Sequence, residues 1–272
     1  MEDRTTAWDK ITHTYCVANP EFEPDRCKAV AELFAELGAD PAKISYISPT
    51  YKHTISQAEH DEHIRDHLVL YLRMFPMRMA ELSLILNYKA VLEDIERNHT
   101  DGLFFIFESD VIKGESIARL GEFVEFVYPK RGEFDLIHIG IDEPSIFKTP
   151  IITSITGYRI NNNYDPVLME YVKRERNANN STYIEDITNI NSPFRLIRKF
   201  YTKCTDSYIW TYAGAMKLLD FMRRGETNFG LPLDYYIHNF CERNVDNFKF
   251  YWSVDEFFKQ GSNAGLVASN IK

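Results

Sequence analysis

The stretch that decides the fold is Leu103-Phe104-Phe105-Ile106-Phe107-Glu108-Ser109-Asp110, in which an apolar run leads directly into two acidic side chains around one serine. Five consecutive apolar residues behind Asp101-Gly102 predict a strand that is buried on both faces, as in parallel α/β sheets. In open α/β sheets, ligands bind beyond the carboxyl ends of such strands. We therefore expect Glu108 and Asp110 to lie at a ligand site.

These two acidic residues suit a divalent cation. They are two positions apart in an extended segment, so their side chains point to the same side. Their carboxylates can hold a metal ion jointly, and the ion can neutralise a bound diphosphate. An ordinary polar turn after the strand is the alternative, because acid-x-acid triplets are common in proteins.

Strands and helices alternate on both sides of this stretch. The predicted strands are residues 11–18, 43–48, 103–107 and 135–140, and the predicted helices are residues 26–37, 56–73, 77–97 and 116–127. This alternation is typical of an α/β protein with a Rossmann-like, mostly parallel central sheet flanked by helices. The first β-α-β unit is also compatible with a nucleotide-binding half-domain.

The second half of the chain is less regular. Residues 141–193 contain prolines and asparagine-rich runs, which favour loops and predict an irregular insert. Residues 195–212 return to strand character, and residues 213–223 and 232–243 are predicted amphipathic helices. No internal repeat is visible, so we expect a single domain over residues 1–272.

The composition excludes some classes of function. The 272-residue chain carries a formal net charge of −9, so it offers no basic stripe to release counterions from a nucleic acid. Its four cysteines form no C-x-x-C pair, which predicts reduced, packed thiols. The first ten residues do not resemble a signal peptide, and no apolar run reaches the roughly 18 residues of a membrane span. We expect a soluble, cytoplasmic protein with no nucleic-acid partner and no membrane span.

Three histidines, His60, His63 and His67, share one face of the predicted 56–73 helix. A zinc site could use such a face, but the segment lacks an H-E-x-x-H pattern and is interspersed with charged residues. A solvated helix is the favoured interpretation.

Six fragments along nearly the whole chain carry a resemblance to one family. They are Val17-Ala18-Asn19 with Asp25-Arg26, Ala80-Glu81-Leu82-Ser83 with Asn87-Tyr88, Phe107-Glu108-Ser109-Asp110-Val111, Phe134-Asp135-Leu136-Ile137-His138-Ile139-Gly140, Tyr208-Ile209-Trp210-Thr211-Tyr212-Ala213-Gly214-Ala215, and Pro232-Leu233-Asp234. In order and spacing the chain resembles glycosyltransferase family 25, the group of lipopolysaccharide-type sugar transferases and procollagen galactosyltransferases. Two positions depart from the family pattern: its Ser-His is Asn87-Tyr88 here, and Ser109 replaces the middle acid of its Leu-Glu-Asp-Asp-Val motif.

The resemblance implies a GT-A fold and a metal-dependent, inverting glycosyltransferase. Such an enzyme moves a sugar from a nucleotide-diphosphate sugar, usually a UDP-sugar, to a hydroxyl of a glycan or a protein. Mn²⁺ or Mg²⁺ is the implied cofactor, because the leaving diphosphate needs its charge neutralised. The nucleotide-binding half would span about residues 11–140, and the acceptor half about residues 141–272.

The resemblance also implies which residues form the site. The implied metal ligands are Asp110, Glu108 and His238, and the implied donor-binding residues are Ala18, Asn19, Arg26, Glu108 and Ser109. Arg26 could pair with a phosphate bidentately. As a first-turn helix residue it could instead face solvent or pair with Asp25 or Glu23.

An inverting enzyme needs a general base, and Asp234, which begins a predicted helix behind Pro232, is the implied candidate. The alternative is a helix-start carboxylate that the macrodipole stabilises by about 0.3–1 kcal/mol. His238 lies one turn later, and a packed or surface histidine is the alternative to its metal-binding role.

Two other functions stay open at this point. A retaining GT-A glycosyltransferase of another family is the first, because carboxylate triplets and C-terminal acids recur across those families. The second is a non-catalytic protein that keeps the GT-A fold for binding or assembly, which the changes at Ser109 and Asn87-Tyr88 would suit.

Overall fold

The computed structural model describes residues 7–64, 77–140, 193–194, 196–198, 206–224, 232–253 and 255–261. Within these residues, seven strands form one central sheet and two strands form a small second sheet. The strands are β1 (His13–Val17), β2 (Ile44–Tyr46), β3 (Leu103–Glu108), β4 (Val111–Lys113), β5 (Leu136–His138), β6 (Leu196–Arg198), β7 (Ser207–Thr211), β8 (Phe250–Ser253) and β9 (Phe258–Gln260).

The central sheet has the strand order β2-β1-β3-β7-β5-β8-β6. Strand β1 is parallel to β2 and β3, and β5 is parallel to β8. Strand β7 is antiparallel to both β3 and β5, and β6 is antiparallel to β8. All strands of this sheet except β6 and β7 therefore run in the same direction. This confirms the prediction of an α/β protein with a mostly parallel central sheet, and the arrangement is compatible with a Rossmann-like fold.

The described α-helices flank this sheet. They are α1 (Pro24–Glu36), α2 (Gln57–Ile64), α3 (Met79–Asn98), α4 (Leu120–Val127), α5 (Tyr212–Arg224) and α6 (Leu233–Arg243). Helix α1 begins at Pro24, two residues before its predicted start. Proline is favoured at the first position of a helix, because the N–H it lacks would have no partner within the helix there. The predicted strand character up to residue 212 ends one residue earlier, since Tyr212 already belongs to α5.

Parts of two predicted segments lie outside the described residues. The predicted helix at 56–73 is described only as far as Ile64, and the irregular insert predicted at 141–193 lies outside the described residues except for Pro193. The predictions for these parts stay predictions.

The sheet separates two hydrophobic cores. On one face, Phe104 and Ile106 of β3 pack in a cluster with apolar side chains of α3, α5 and α6. On the other face, Phe105 and Phe107 pack with side chains of α1 and α4. Residues 103–107 are all fully buried because alternate side chains enter opposite cores. Each buried phenylalanine contributes about 1.5–3 kcal/mol of transfer free energy.

The small sheet closes the structure around the acidic triplet. Strand β4, which begins at Val111, pairs with β9 so that Val111 lies opposite Gln260. One residue further, the backbone N–H of Gly261 donates to the backbone carbonyl of Asp110 over 2.7 Å. The triplet is thus fixed from both sides, by β3 before it and by β9 beside it.

The histidine face of α2 departs from the prediction of a solvated helix at one position. His60 is buried, and its Nε2 donates to the backbone carbonyl of Met77 over 2.8 Å. His63 is partly exposed, and His67 lies outside the described residues. Periodicity indicated the shared face, but it gave no sign of the contact with Met77, which is 17 residues later in the chain.

The described cysteines are buried in the protein. Cys16 and Cys27 are buried free thiols, and Cys241 is buried as well, whereas Cys204 lies outside the described residues. Burial raises the pKa of the Cys27 thiol to about 11, which keeps it protonated at neutral pH. In the portions of the chain that the structure describes, no helix combines the length and the apolar composition needed to cross a bilayer.

Candidate functional site

A cleft lies where the strands β1, β2 and β3 end. Its walls are these strand ends, the loop after β2, the N-terminal parts of α1 and α3, and β9. Its lining residues are Val17, Glu23, Arg26, Ser48, Tyr51, Lys52, Ala80, Ser83, Leu84, Asn87, Glu108, Ser109, Asp110 and Gln260. The carboxyl edge of parallel strands is where ligands of open α/β sheets bind, so the cleft is the candidate functional site.

The acidic triplet forms one wall of the cleft, as the sequence predicts. Glu108 is the last residue of β3, and its backbone N–H donates to the carbonyl of Asp206 over 3.0 Å. Ser109 and Asp110 are 8% and 6% exposed, so both side chains sit in the wall rather than in open solvent. Ser109 and Asp110 form a turn after β3, so the extended geometry predicted for residues 108–110 ends at Glu108. Both turn residues are nevertheless buried in the wall of the cleft.

Arg26 reaches the triplet from the first turn of α1. Its Nη1 donates to the Ser109 hydroxyl over 3.1 Å and lies 3.4 Å from Oε1 of Glu23. The Ser109 hydroxyl in turn donates to the same Glu23 oxygen over 3.1 Å. The structure thus brings Arg26 to the same cleft as the acidic triplet. Of the two acidic partners that the sequence offers for Arg26, it shows a contact with Glu23.

The two other predicted donor-binding residues, Ala18 and Asn19, follow β1 directly. Ala18 is buried, and Asn19 holds the turn after β1. The Asn19 side chain donates to the Ser48 carbonyl over 3.2 Å and accepts from the backbone N–H of Glu21 over 2.9 Å. Neither Ala18 nor Asn19 belongs to the lining of the cleft.

Asn87, which the sequence indicates only as a departure from the family pattern, anchors the cleft loop. Its Oδ1 accepts from the backbone N–H of Thr50 over 2.9 Å and from the Thr50 hydroxyl over 2.7 Å. Its Nδ2 donates to the Thr50 carbonyl over 2.7 Å and to the Ser48 hydroxyl over 2.8 Å. This buried amide therefore fixes the loop after β2, which contributes Ser48, Tyr51 and Lys52 to the cleft.

Tyr88, the second departure, belongs to the core. It is fully buried, and its hydroxyl accepts from the indole N–H of Trp210 over 2.6 Å. Burial raises the pKa of the Tyr88 hydroxyl well above its ordinary value; the bond to Trp210 opposes that shift, and the charge of Glu108 adds to it. Tyr88 thus joins α3 to β7 beneath the acidic triplet.

An aromatic pair stands beside the cleft. Phe22 and Tyr51 stack with ring centroids 4.5 Å apart and an interplanar angle of 16°. Phe22 is 45% exposed, and Tyr51 lines the cleft. A flat apolar surface is therefore available next to the charged part of the site.

Asp234, the predicted general base, is not part of the cleft lining. It is the second residue of α6, and its Oδ1 accepts from the backbone N–H of Tyr235 over 2.9 Å. Desolvation raises the pKa of its carboxyl group to about 7, and the negative charge of Glu81 adds to the shift. Glu81 belongs to the first turn of α3, whose neighbouring residues line the cleft.

His238 is not brought to the cleft. It lies one turn after Asp234 on α6, is partly exposed, and does not line the cleft. Across the residues described here, no three or more His, Cys, Asp or Glu side chains are grouped so that they could hold one metal ion. The predicted metal site therefore rests on Asp110 and Glu108, and the part assigned to His238 stays a prediction.

Sequence reasoning missed several cleft residues, among them Glu23, Ser48, Tyr51, Lys52 and Asn87. Ser48 follows the second predicted strand, so the same strand-end argument that singled out Glu108 could have found it. The sequence indicates Glu23 only as an alternative partner of Arg26, and Asn87 only as a departure from the family pattern.

Comparison with known proteins adds no family to this geometry. A scan against protein-family models found no match for the chain, and neither did a search of curated proteins.

Proposed function

We propose that this protein is a metal-dependent, inverting glycosyltransferase of the GT-A type. It would transfer a sugar from a nucleotide-diphosphate sugar, with a UDP-sugar as the first candidate, to a hydroxyl of a glycan or a protein. The observation that carries the proposal is one cleft at the carboxyl edge of β1, β2 and β3 that gathers Glu108, Asp110 and Arg26. The sheet order, in which antiparallel β7 follows three parallel strands, is compatible with this fold type.

The residues present fit a divalent cation. Mg²⁺ and Mn²⁺ prefer oxygen ligands, and Mg²⁺ is commonly bound by one or two carboxylates together with waters and substrate phosphates. Asp110 and Glu108 supply two carboxylates in the cleft wall, and they would hold the ion. When bound, the cation supplies positive charge that stabilises the departing diphosphate.

The remaining lining of the cleft suits the donor. Arg26 and Lys52 bring two positive charges, and the Ser109 hydroxyl lies within hydrogen-bonding distance of Arg26. Guanidinium and ammonium groups pair strongly with phosphate oxygens. Tyr51 and Phe22 offer a flat surface beside these charges on which a nucleobase could stack.

Asp234 is the proposed general base. A base acts best when its pKa lies near the working pH, and burial raises the pKa of this carboxyl group to about 7. Its carboxylate would take the proton of the acceptor hydroxyl while that oxygen bonds to the anomeric carbon. The bond between the anomeric carbon and the diphosphate breaks with its electron pair, so the configuration inverts in one displacement.

A panel of nucleotides and nucleotide sugars, screened by thermal shift and calorimetry with and without Mn²⁺, tests the proposal. A ligand that binds only the native state raises the melting temperature by mass action. We expect a Mn²⁺-dependent shift with one nucleotide diphosphate. Absence of any nucleotide binding across the panel would refute the proposal.

Two variants separate the assigned roles. Asp110→Ala should lose the Mn²⁺-dependent nucleotide binding, because one of the two carboxylates is gone. Asp234→Asn should bind the nucleotide as the native protein does and lose sugar transfer. Full transfer activity in both variants would contradict the mechanism, and Asp246→Asn, in the exposed turn after α6, is the matched control.

A further inference from the structure

Glu23 lines the cleft beside Arg26 and Ser109. Its Oε1 accepts from the Ser109 hydroxyl over 3.1 Å and lies 3.4 Å from Nη1 of Arg26. Its Oε2 lies 3.4 Å from the backbone N–H of Asn19. The side chains of Glu23 and Arg26 are only 8% and 17% exposed, so the pair is well shielded from solvent.

The groups around Glu23 are those that recognise an oxyanion. A guanidinium N–H, a hydroxyl and a backbone N–H converge on one carboxylate, and phosphate oxygens accept hydrogen bonds from the same three kinds of donor. The Ser109 hydroxyl can donate to an anion, as it does here to Glu23 Oε1. A carboxylate of the chain is thus held where an anionic ligand would be held.

We propose that Glu23 is an internal competitor for the anionic group of the ligand. Its carboxylate holds Arg26 and Ser109 in the free protein, and a diphosphate must displace it in order to bind. The identity of that anion as a diphosphate rests on the proposed function. Glu23 then sets a selectivity threshold: a diphosphate with its counter-cation outcompetes one carboxylate, whereas a single inorganic phosphate, with less charge and fewer oxygens, does not.

The competing explanation is that Glu23 merely positions Arg26. The two explanations predict opposite effects of neutralising Glu23, which makes the variant Glu23→Gln decisive. A competitor, once neutralised, releases the site and tightens anion binding. A positioning residue, once neutralised, leaves Arg26 misplaced and weakens anion binding.

The experiment is calorimetric titration of the whole protein with inorganic diphosphate, with and without Mg²⁺. We expect Glu23→Gln to bind diphosphate about tenfold more tightly than the native protein, which corresponds to about 1.4 kcal/mol. An exposed ion pair contributes less than about 1 kcal/mol, and the Glu23–Arg26 pair is shielded from solvent, so its contribution should be larger. Glu21→Gln is the matched control, because it removes the same charge from an exposed position two residues away. It should change the affinity by less than about twofold.

A double variant checks that the gain passes through Arg26. Glu23→Gln combined with Arg26→Gln should lose the gain and bind no better than Arg26→Gln alone. Thermal melts of every variant confirm that each is folded before titration. Inorganic phosphate in place of diphosphate should bind Glu23→Gln measurably and the native protein at least tenfold more weakly.

Several results would overturn the inference: weaker binding to Glu23→Gln than to the native protein, equal gains in Glu23→Gln and Glu21→Gln, or no diphosphate binding to Glu23→Gln. Failure of the proposed function looks different. A gain for diphosphate in Glu23→Gln with no nucleotide sugar bound or consumed by any variant would leave the anion site standing and remove the transferase.

Discussion

Asp234→Asn should flatten the pH dependence of stability, and the structure gives the size of the effect. Desolvation raises the pKa of Asp234 from 3.8 to about 7, so the folded protein binds this proton more tightly than the unfolded chain does. Between those two values the free energy of unfolding therefore falls as the pH rises. Above pH 7 the folded protein carries the whole cost of an ionised, desolvated carboxylate.

The magnitude follows from the shift. One pKa unit corresponds to about 1.4 kcal/mol, so a shift of about three units sets an upper limit of about 4 kcal/mol. Asp234 is partly exposed, and solvent screening lowers the expected cost to about 1–3 kcal/mol. An asparagine of nearly the same shape carries no charge at any pH and avoids that cost.

Urea denaturation at pH 5 and pH 8 measures the effect. At pH 8 we expect Asp234→Asn to be more stable than the native protein by about 1–3 kcal/mol, and at pH 5 the difference should shrink. Asp246→Asn, in the exposed turn after α6, changes the net charge equally and should show no such pattern. If Asp234→Asn is no more stable than the native protein at pH 8, the burial argument for this carboxyl group is wrong.

Two further predictions concern positions where shape or hydrogen bonding is restrictive. Gly102→Ala should lower the unfolding free energy by about 2–4 kcal/mol in urea, because Gly102 has φ +131 and a Cβ there would lie 2.0 Å from Oγ1 of Thr12. Gly132→Ala, whose Cβ meets nothing within 4 Å, should change stability by less than about 0.5 kcal/mol, and similar losses in both would contradict the steric argument. Asn87→Leu removes the bonds that hold Thr50, so we expect a loss of about 2–3 kcal/mol and faster amide exchange at residues 48–52. Unchanged exchange at these residues would mean that the loop is held by other contacts.

The parts of the fold that depend on local pattern were predictable from the sequence. The apolar run 103–107 predicted β3, since a short apolar run behind the turn residues Asp101-Gly102 is typical of a strand with both faces covered. The direction of β7 was not predictable. Its residues 207–211 read as a strand, but an antiparallel position between β3 and β5 depends on pairing partners about 100 and 70 residues away.

In the candidate site, too, features set by local sequence were predictable and features set by distant contacts were not. Glu108 ends β3 and Asp110 comes two residues later, so local sequence could place both at the carboxyl end of a strand. Glu23 and Asn87 act through contacts with Ser109 and Thr50, which are far away in the chain, and no local pattern reveals such contacts. The pKa of Asp234 is likewise set by what covers it in three dimensions.

The pairing of β4 with β9 affects the order in which the site forms during synthesis. Gln260 lines the cleft, and the N–H of Gly261 donates to the backbone carbonyl of Asp110, so the acidic triplet is held by a strand about 150 residues later in the chain. A ribosome adds roughly 5–20 residues per second, so the acidic triplet of a nascent chain is made about 8–30 seconds before the strand that completes the cleft. The cleft should therefore gain its affinity for ligand as one of the last events of folding.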